Sequence, residues 1–320
     1  MVAIPTIDVS AIDDPAGRRR IADEVLDAYG SVGFGYVVGH PIPQDLIDTV
    51  FAQSHRFHAL PLVEKLRIRV DASHRGYIPF RSSTDVTSSV DTVTKPNLSE
   101  SLMILRDLPP DHPDVVGGTY LAGANQWPDL PGFRGVMLEY QERMTTFARE
   151  MIDVIAGALG DDGTMARAFD SPTTWLRLLH YPPQDPQSPG DEYGSAPHRD
   201  FGAITLLATD DVGGLSVQAP DGAWLDVPPM AGAFVMNVGD MLHRWSNGRL
   251  LSTPHRVTNR TGRERYSVPF FFDPHVDTVV APLPSADEPH FEPVAFGDFL
   301  RHELEASYDN HKPTDEATRP

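Results

Sequence analysis

Apolar residues in the first part of the chain recur at helical spacing. Ile21, Val25, Ala28 and Tyr29 mark one face of a helix that Gly30 closes, and "GFGYVVGH" then reads as a short strand. A second amphipathic helix is predicted after Pro43, with Leu46, Ile47, Val50, Phe51, Ser54 and Phe57 on one side. A third and longer one carries Phe133, Met137, Tyr140, Met144, Phe147, Met151, Ile155 and Leu159 and ends at Gly160. Between them, residues 71–130 are rich in Ser, Thr, Pro and Gly with little periodicity, which predicts long loops able to wall a pocket. From about Thr174 the period shortens. "WLRLLHY", "AITLLAT", "LSVQA", "AWLDV", "AFVMNV", "STPHRVTN" and "RYSVPFFF" are short apolar runs broken by turns, the pattern of an antiparallel sandwich or barrel. The C-terminal half therefore reads as a jelly roll. Phe296, Phe299, Leu300 and Leu304 then mark a closing helix, and "DNHKPTDEATRP" reads as a frayed tail.

Composition narrows the chemistry. The chain has 320 residues, 40% hydrophobic and 22% charged, as expected of a folded globular protein. A net charge of −19 opposes contact with nucleic-acid phosphates and anionic membranes, so small molecules are the expected partners. With no cysteine, disulfides, thiolate metal sites and a thiol nucleophile are excluded, and any metal must sit on His, Asp or Glu. Neither a basic, apolar leader pattern nor an apolar run of roughly 20 residues stands in the sequence, so a cytoplasmic enzyme is expected; the sequence leaves the oligomeric state open, with a monomer as the expectation.

The stretch "SAPHRDFGAITLL" contains "HRD" and "DFG", both familiar from protein kinases. Here they overlap on Asp200, and one carboxylate cannot be both the catalytic-loop and the metal-binding aspartate. Thr205 stands where the catalytic-loop pattern needs Asn, and the surroundings are all β. "GFGYVVGH" likewise fails as a dinucleotide loop, because its glycines are misspaced and the helix precedes the strand.

A different chemistry suits these residues. On an extended segment His198 and Asp200, at i and i+2, point to one side and form a cradle for a metal. Pro197 holds the segment extended, and Gly202 lets backbone pass close by. His255, on a later strand and again after a proline, is the third candidate ligand. The turn "NRTGR" predicts that "HRVTN" and "ERYSVPFFF" pair as a hairpin, bringing Arg265 and Ser267 close to His255. Arg265 and Ser267 are also i and i+2 and offer a guanidinium fork and a hydroxyl to one carboxylate. Two His and one Asp with open positions are the expected signature of non-heme Fe(II) that activates O2. Zinc would accept the same donors, and it is Arg265 with Ser267, placed for the distal carboxylate of a keto acid, that favours iron.

Through "IPTIDVS", "GFGYVVGHPIP", "RGYIP", "NQWPDLPGF", "LRLLHYPP", "PHRDFGAITLL", "GGLSVQAPDGAWLDVPP", "NVGDMLHRWSNGRLLSTPHRV" and "RYSVPFFFDP", the chain resembles the isopenicillin N synthase-like Fe(II)/2-oxoglutarate-dependent oxygenases over nearly its whole length. The resemblance implies a mainly β fold with flanking helices: a double-stranded β-helix (jelly roll) core, an N-terminal α/β region and a long buttressing helix. It divides one compact unit into an N-terminal non-haem dioxygenase region (1–118), a linking helix region (119–170), the jelly-roll core (171–280) and a C-terminal helix and tail (281–320). It implies Fe(II), 2-oxoglutarate and O2 as cofactor and cosubstrates, with His198, Asp200 and His255 as iron ligands. Arg265 and Ser267 would bind the cosubstrate's C5 carboxylate, helped by Tyr181. Leu179 stands where many plant relatives have Asn, and Arg199 replaces a common Thr but should point away from the metal. The implied reaction oxidises a small molecule while 2-oxoglutarate becomes succinate and CO2; hydroxylation is the commonest outcome, and desaturation or cyclisation uses the same ligands. Two alternatives keep the scaffold: an oxidase of the isopenicillin N synthase kind that dispenses with 2-oxoglutarate, and a non-catalytic small-molecule sensor. Substrate choice is expected from loops around Tyr77, Arg81, Ser82 and Ser101 and from the C-terminal helix. His55, His58 and His180 read as structural, His243 and Asp240 as parts of a turn, and Trp245 as core.

Overall fold

A long central strand can serve two cores at once, and Thr173–Tyr181 is such a strand. Its odd-numbered side chains and its even-numbered ones face opposite ways. Leu176 and Leu178 pack with the helices, whereas Leu179 and Tyr181 join a second, smaller apolar cluster. The computed structural model describes residues 3–85, 90–185, 187, 190–284 and 288–307. Its main strands are β1 (Thr6–Asp8), β2 (Phe34–Val38), β3 (Gly76–Ile78), β4 (Glu100–Leu105), β5 (Thr173–Tyr181), β6 (Ser195–His198), β7 (Ile204–Thr209), β8 (Leu215–Gln218), β9 (Trp224–Asp226), β10 (Phe234–Val238), β11 (His255–Val257) and β12 (Arg265–Asp273). Eight form one sheet in the order β1-β2-β10-β7-β12-β5-β4-β3, and four form a second in the order β6-β11-β8-β9. The strands are antiparallel except for β1 on β2.

The large sheet's outer face is covered by the predicted helices, here Pro15–Ser31, Gln44–His58 and Phe133–Leu159. The first is capped by Asp14, whose carboxylate accepts the N–H groups of Ala16 and Gly17. It runs one residue past Gly30; the chain turns instead at Gly33, where φ is 75° and a Cβ would collide with the Thr253 hydroxyl. The long helix ends as expected, with Gly160 in the left-handed conformation at φ 76°. The inner face of the large sheet meets the small sheet around Phe34, Tyr36, Leu215, Val217, Val235 and Val257. The fold is a jelly roll with flanking helices, as the pattern of runs predicted.

Three expectations are corrected. "HRVTN" and "ERYSVPFFF" do not form a hairpin: β11 pairs with β6 and β8, and β12 pairs with β5 and β7. The turn carries the chain from one sheet to the other, so these strands face each other across the sandwich and not within a ladder. Residues 71–130 are not loop throughout, since they supply β3 and the wholly buried β4, "ESLMIL". A strand buried on both faces does not alternate, and its signal was lost among flanking Ser, Thr and Pro. His243 and Asp240 sit on a helix, Asp240–Trp245, and not in a turn. The closing helix is Phe296–Ser307, with Phe296, Leu300 and Leu304 buried; the expected frayed tail, 309–320, lies outside the described residues. No helix among the described residues is long and apolar enough to cross a membrane.

Candidate active site

β6 and β11 place His198 and His255 directly opposite each other as cross-strand partners, with ring centroids 4.2 Å apart. Asp200 follows just past the end of β6. Its Oδ1 lies 3.8 Å from His198 Nε2 and 3.7 Å from His255 Nε2, so one ligand atom from each residue converges on a single point.

Hydrogen bonds leave these three atoms bare. His198 Nδ1 lies 2.7 Å from the Ala196 carbonyl and His255 Nδ1 3.3 Å from that of Thr253. A carbonyl only accepts, so each Nδ1 carries the proton and each Nε2 presents a lone pair. Asp200 Oδ2 accepts from Asn237 Nδ2 at 2.6 Å and from the Thr205 hydroxyl, which turns Oδ1 toward the imidazoles. Burial pushes the Asp200 carboxyl up. The imidazoles of His255 and His198 and the two donors outweigh it and hold the group below the ordinary aspartate range. Burial, helped by His198, drives His255 down to about 4, so the imidazole is neutral at physiological pH. Two imidazoles and one carboxylate on three corners, with the remaining directions open, suit a divalent metal that must also bind small ligands.

The loop carrying Asp200 is braced from behind. The N–H groups of Gly239, Asp240 and Met241 donate to the carbonyls of Ala203, Asp200 and Gly202, and Ala203 N–H donates to Asp273 Oδ1. At Gly202 a Cβ would overlap the Asp273 carboxylate, which is why the close passage needs glycine.

Two cavities meet at the triad. The inner one, about 70 Å³, is lined by all three candidate ligands together with Tyr181, Leu179, Arg265 and Ser267. Arg265 is 1% exposed, its guanidinium 4.7 Å from the centre of the Tyr181 ring and its Nη1 3.4 Å from the Ser267 hydroxyl. Nε of Arg265 has no hydrogen-bond partner, and among the described residues no carboxylate comes within ion-pair distance of this buried cation, although Asp210 is near enough to feel its charge. The outer cavity, about 100 Å³, is lined by His198 and Asp200 and by Trp175, Arg177, Phe201, Phe271, Asp85, Leu300 and Leu304, among others.

The expected substrate residues lie elsewhere. Tyr77 is buried behind the sheet with its hydroxyl on Glu100, exposed Arg81 lies over Phe80 at 5.6 Å, and the Ser82 hydroxyl donates to Pro79 O at 2.6 Å. None of these lines either cavity. Tyr77 faces away because it pairs with Leu102, on the helix-covered side of the sheet. Ser101 stands one step behind, accepting from Arg177 Nε at 2.9 Å. Arg199 was expected to face away, yet it lines the outer cavity while its Nε donates to Ser252 O at 2.8 Å. Strand alternation lapses there, since β6 stops at His198. His180 behaves as read, bonding Glu100 Oε1 at 2.9 Å behind the sheet, and Trp245 is core. Asn237, Arg177 and Asp85 were not singled out from the sequence; for Asn237, alternation along "FVMNV" was the available signal, since it turns that side chain toward the sandwich interior.

Family models match the site and the region before it: that of the 2OG-Fe(II) oxygenase superfamily over residues 172–274, which includes the triad, and that described as non-haem dioxygenase in morphine synthesis N-terminal over residues 4–130. The 2-oxoglutarate-Fe(II) type oxidoreductase hxnY of Emericella nidulans is 37% identical over 329 aligned residues, 96% of this chain and 90% of the relative. This chain belongs to the 2OG-Fe(II) oxygenase superfamily. Another relative of this oxygenase is the 2-oxoglutarate-dependent dioxygenase citB of Monascus ruber, 38% identical over 88% of the chain and 87% of the relative. Among solved structures, a full-length Neurospora crassa protein in complex with alpha-KG and thymine superposes with a TM-score of 0.80 at 31% identity, over 95% of this chain and 96% of that one. The protein is an Fe(II)/2-oxoglutarate-dependent dioxygenase, and neither the oxidase nor the sensor alternative finds support in these relatives.

Proposed function

We propose that His198 Nε2, Asp200 Oδ1 and His255 Nε2 hold the Fe(II), that Arg265, Ser267 and Tyr181 hold the C5 carboxylate of 2-oxoglutarate, and that the outer cavity takes a small organic substrate for hydroxylation. Within the superfamily we place the chain in the isopenicillin N synthase-like group, on the motifs that run through both of its halves. The observation that carries the reading is Arg265: a fully buried guanidinium without a carboxylate partner lines the same cavity as the triad. A buried unpaired charge is costly, and a dicarboxylate whose other end reaches the metal removes that cost. Bound iron with 2-oxoglutarate and O2 supplies the oxidising power, releasing succinate and CO2 while a substrate C–H bond is oxidised.

The protein's own contribution is placement. The Ala196 and Thr253 carbonyls fix the imidazole tautomers, and Asn237 and Thr205 leave one Asp200 oxygen for the metal. Arg265 sets the cosubstrate's long axis, and Leu179 and Tyr181 give it an apolar wall. Trp175, Phe201, Phe271 and the Leu300/Leu304 face of the closing helix give the substrate a mostly apolar chamber that limits water near the metal. Complexes of the Neurospora crassa protein with thymine and with 5-formyluracil, and a JOX2 complex with JA, support a small-molecule substrate.

The test is consumption of 2-oxoglutarate by the purified protein. It should require Fe(II) and O2 and should fall by more than a hundredfold in His255→Ala. Full consumption by that variant would remove His255 from the metal site.

A further inference from the structure

We propose that the prime substrate is amphoteric, an amino acid or a molecule of amino-acid type whose carboxylate is bound by Arg177 and whose ammonium group is bound by Asp85. This rests on the reading above, in which the outer cavity is the substrate chamber.

Arg177 projects from the inner face of β5 into both cavities. Its cross-strand neighbour on β4 is Met103, which offers no side-chain acceptor. Only Nε is engaged, by the Ser101 hydroxyl at 2.9 Å, and among the described residues no carboxylate reaches the terminal nitrogens. The fork is thus held by its root and left open at its tip, the geometry that receives a planar carboxylate.

Asp85 lines the same outer cavity and lies near enough to influence His255. Asn97 Nδ2 donates to its Oδ2 at 3.0 Å; Oδ1 accepts from no described residue, and no described cation pairs with it. Two opposite charges therefore share one small chamber without neutralising each other, each tethered by its own neutral side chain. A purely anionic ligand would satisfy Arg177 and leave Asp85 facing it, and a cationic ligand would do the reverse. A zwitterion satisfies both. The other charges at the cavity have protein partners: Asp273 Oδ1 accepts from Ala203 N–H, and Arg199, whose Nε donates to Ser252 O, lies close enough to Asp240 for the two charges to interact. Trp175, Phe201 and Phe271 then favour an apolar or aromatic body between the two charged ends.

The test uses the full chain loaded with Fe(II) and 2-oxoglutarate, titrated anaerobically by calorimetry so that binding is read without turnover. Four probes share one body: L-phenylalanine, 3-phenylpropionate, phenethylamine and 2-phenylethanol. Phenylalanine should bind about tenfold or more tightly than either singly charged probe, and these more tightly than the alcohol. Arg177→Met should erase the advantage of phenylalanine over phenethylamine and keep that over phenylpropionate; Asp85→Asn should do the converse. Both variants should still bind 2-oxoglutarate, which reports that they fold. The proposal is overturned if phenylalanine binds no better than 2-phenylethanol, if neither variant changes the ranking, or if no probe binds to enzyme that does bind 2-oxoglutarate. Failure to bind 2-oxoglutarate at all would instead strike the underlying reading of Arg265.

Discussion

Replacing Arg265 by lysine separates cosubstrate binding from metal binding. Arginine at 1% exposure presents parallel donors from one plane, buttressed by the Tyr181 ring at 4.7 Å and by the Ser267 hydroxyl. Lysine keeps the positive charge but offers a single ammonium on a flexible stem, and so loses the second of two parallel contacts to a carboxylate. A charge-assisted hydrogen bond contributes about 1.5–3 kcal/mol, and burial here leaves little solvent to screen it. Since roughly 1.4 kcal/mol is a factor of ten, Arg265→Lys should raise the 2-oxoglutarate KM about tenfold or more. Arg265→Met also strands the cosubstrate's carboxylate without a cation, a penalty of about 3–5 kcal/mol and a rise of more than a hundredfold. Iron affinity should stay within about twofold in both variants, because no bond joins Arg265 to the His198, Asp200 or His255 side chains. The assay is the steady-state rate against 2-oxoglutarate concentration, beside a direct Fe(II) titration of each variant. Loss of iron together with 2-oxoglutarate would show that Arg265 supports the triad or the fold and would refute the assignment.

Three other outcomes follow from the geometry. Asn237→Leu leaves Asp200 Oδ2 with Thr205 alone and should weaken Fe(II) binding ten- to a hundredfold, with the 2-oxoglutarate KM unchanged at saturating iron; unaltered iron affinity by metal titration would remove Asn237 from the ligand's support. Gly202→Ala forces a methyl group into the Asp273 carboxylate and should cost iron binding along with several degrees of thermal stability, so a variant with wild-type Tm and iron affinity would contradict the tight passage. His58 is buried and its imidazole pushed down to about 3, so the unfolded chain takes up this proton first, and stability falls as pH drops from about 6.5 toward 3 by something on the order of 3–5 kcal/mol. His58→Leu should therefore lose less stability than the wild type between pH 7 and 4 in denaturant titrations; parallel losses would assign acid sensitivity to other groups.

How much of the site could be read in advance depended on whether its residues share local geometry. His198 with Asp200, and Arg265 with Ser267, are pairs at i and i+2; the two-residue period holds within β12 for the second pair, whereas β6 stops at His198 and the loop braced by Gly239–Met241 delivers Asp200. His255 stood out because it follows a proline on a strand. The supposed hairpin between β11 and β12 was the wrong route to a useful conclusion. Arg265 does line the His255 cavity, but it arrives across the gap between two sheets. Arg199 failed for a local reason: the strand ends one residue before it, and alternation holds only where a strand continues.

The sequence by itself determined the helical stripes, the run of short strands, the absence of thiol chemistry and the candidate metal and carboxylate sites. Each of these is written in residue type and short-range period, which act through backbone geometry within a few positions. Tertiary structure alone decided which strands pair, which face of β5 looks inward, and that Asn237 steers Asp200. It also decided that Arg177 and Asp85, not Tyr77 or Arg81, line the outer chamber. Those outcomes depend on contacts between residues separated by tens to more than a hundred positions. Loop closure leaves many such pairings open until two apolar faces of the right shape have met, so local pattern cannot choose among them.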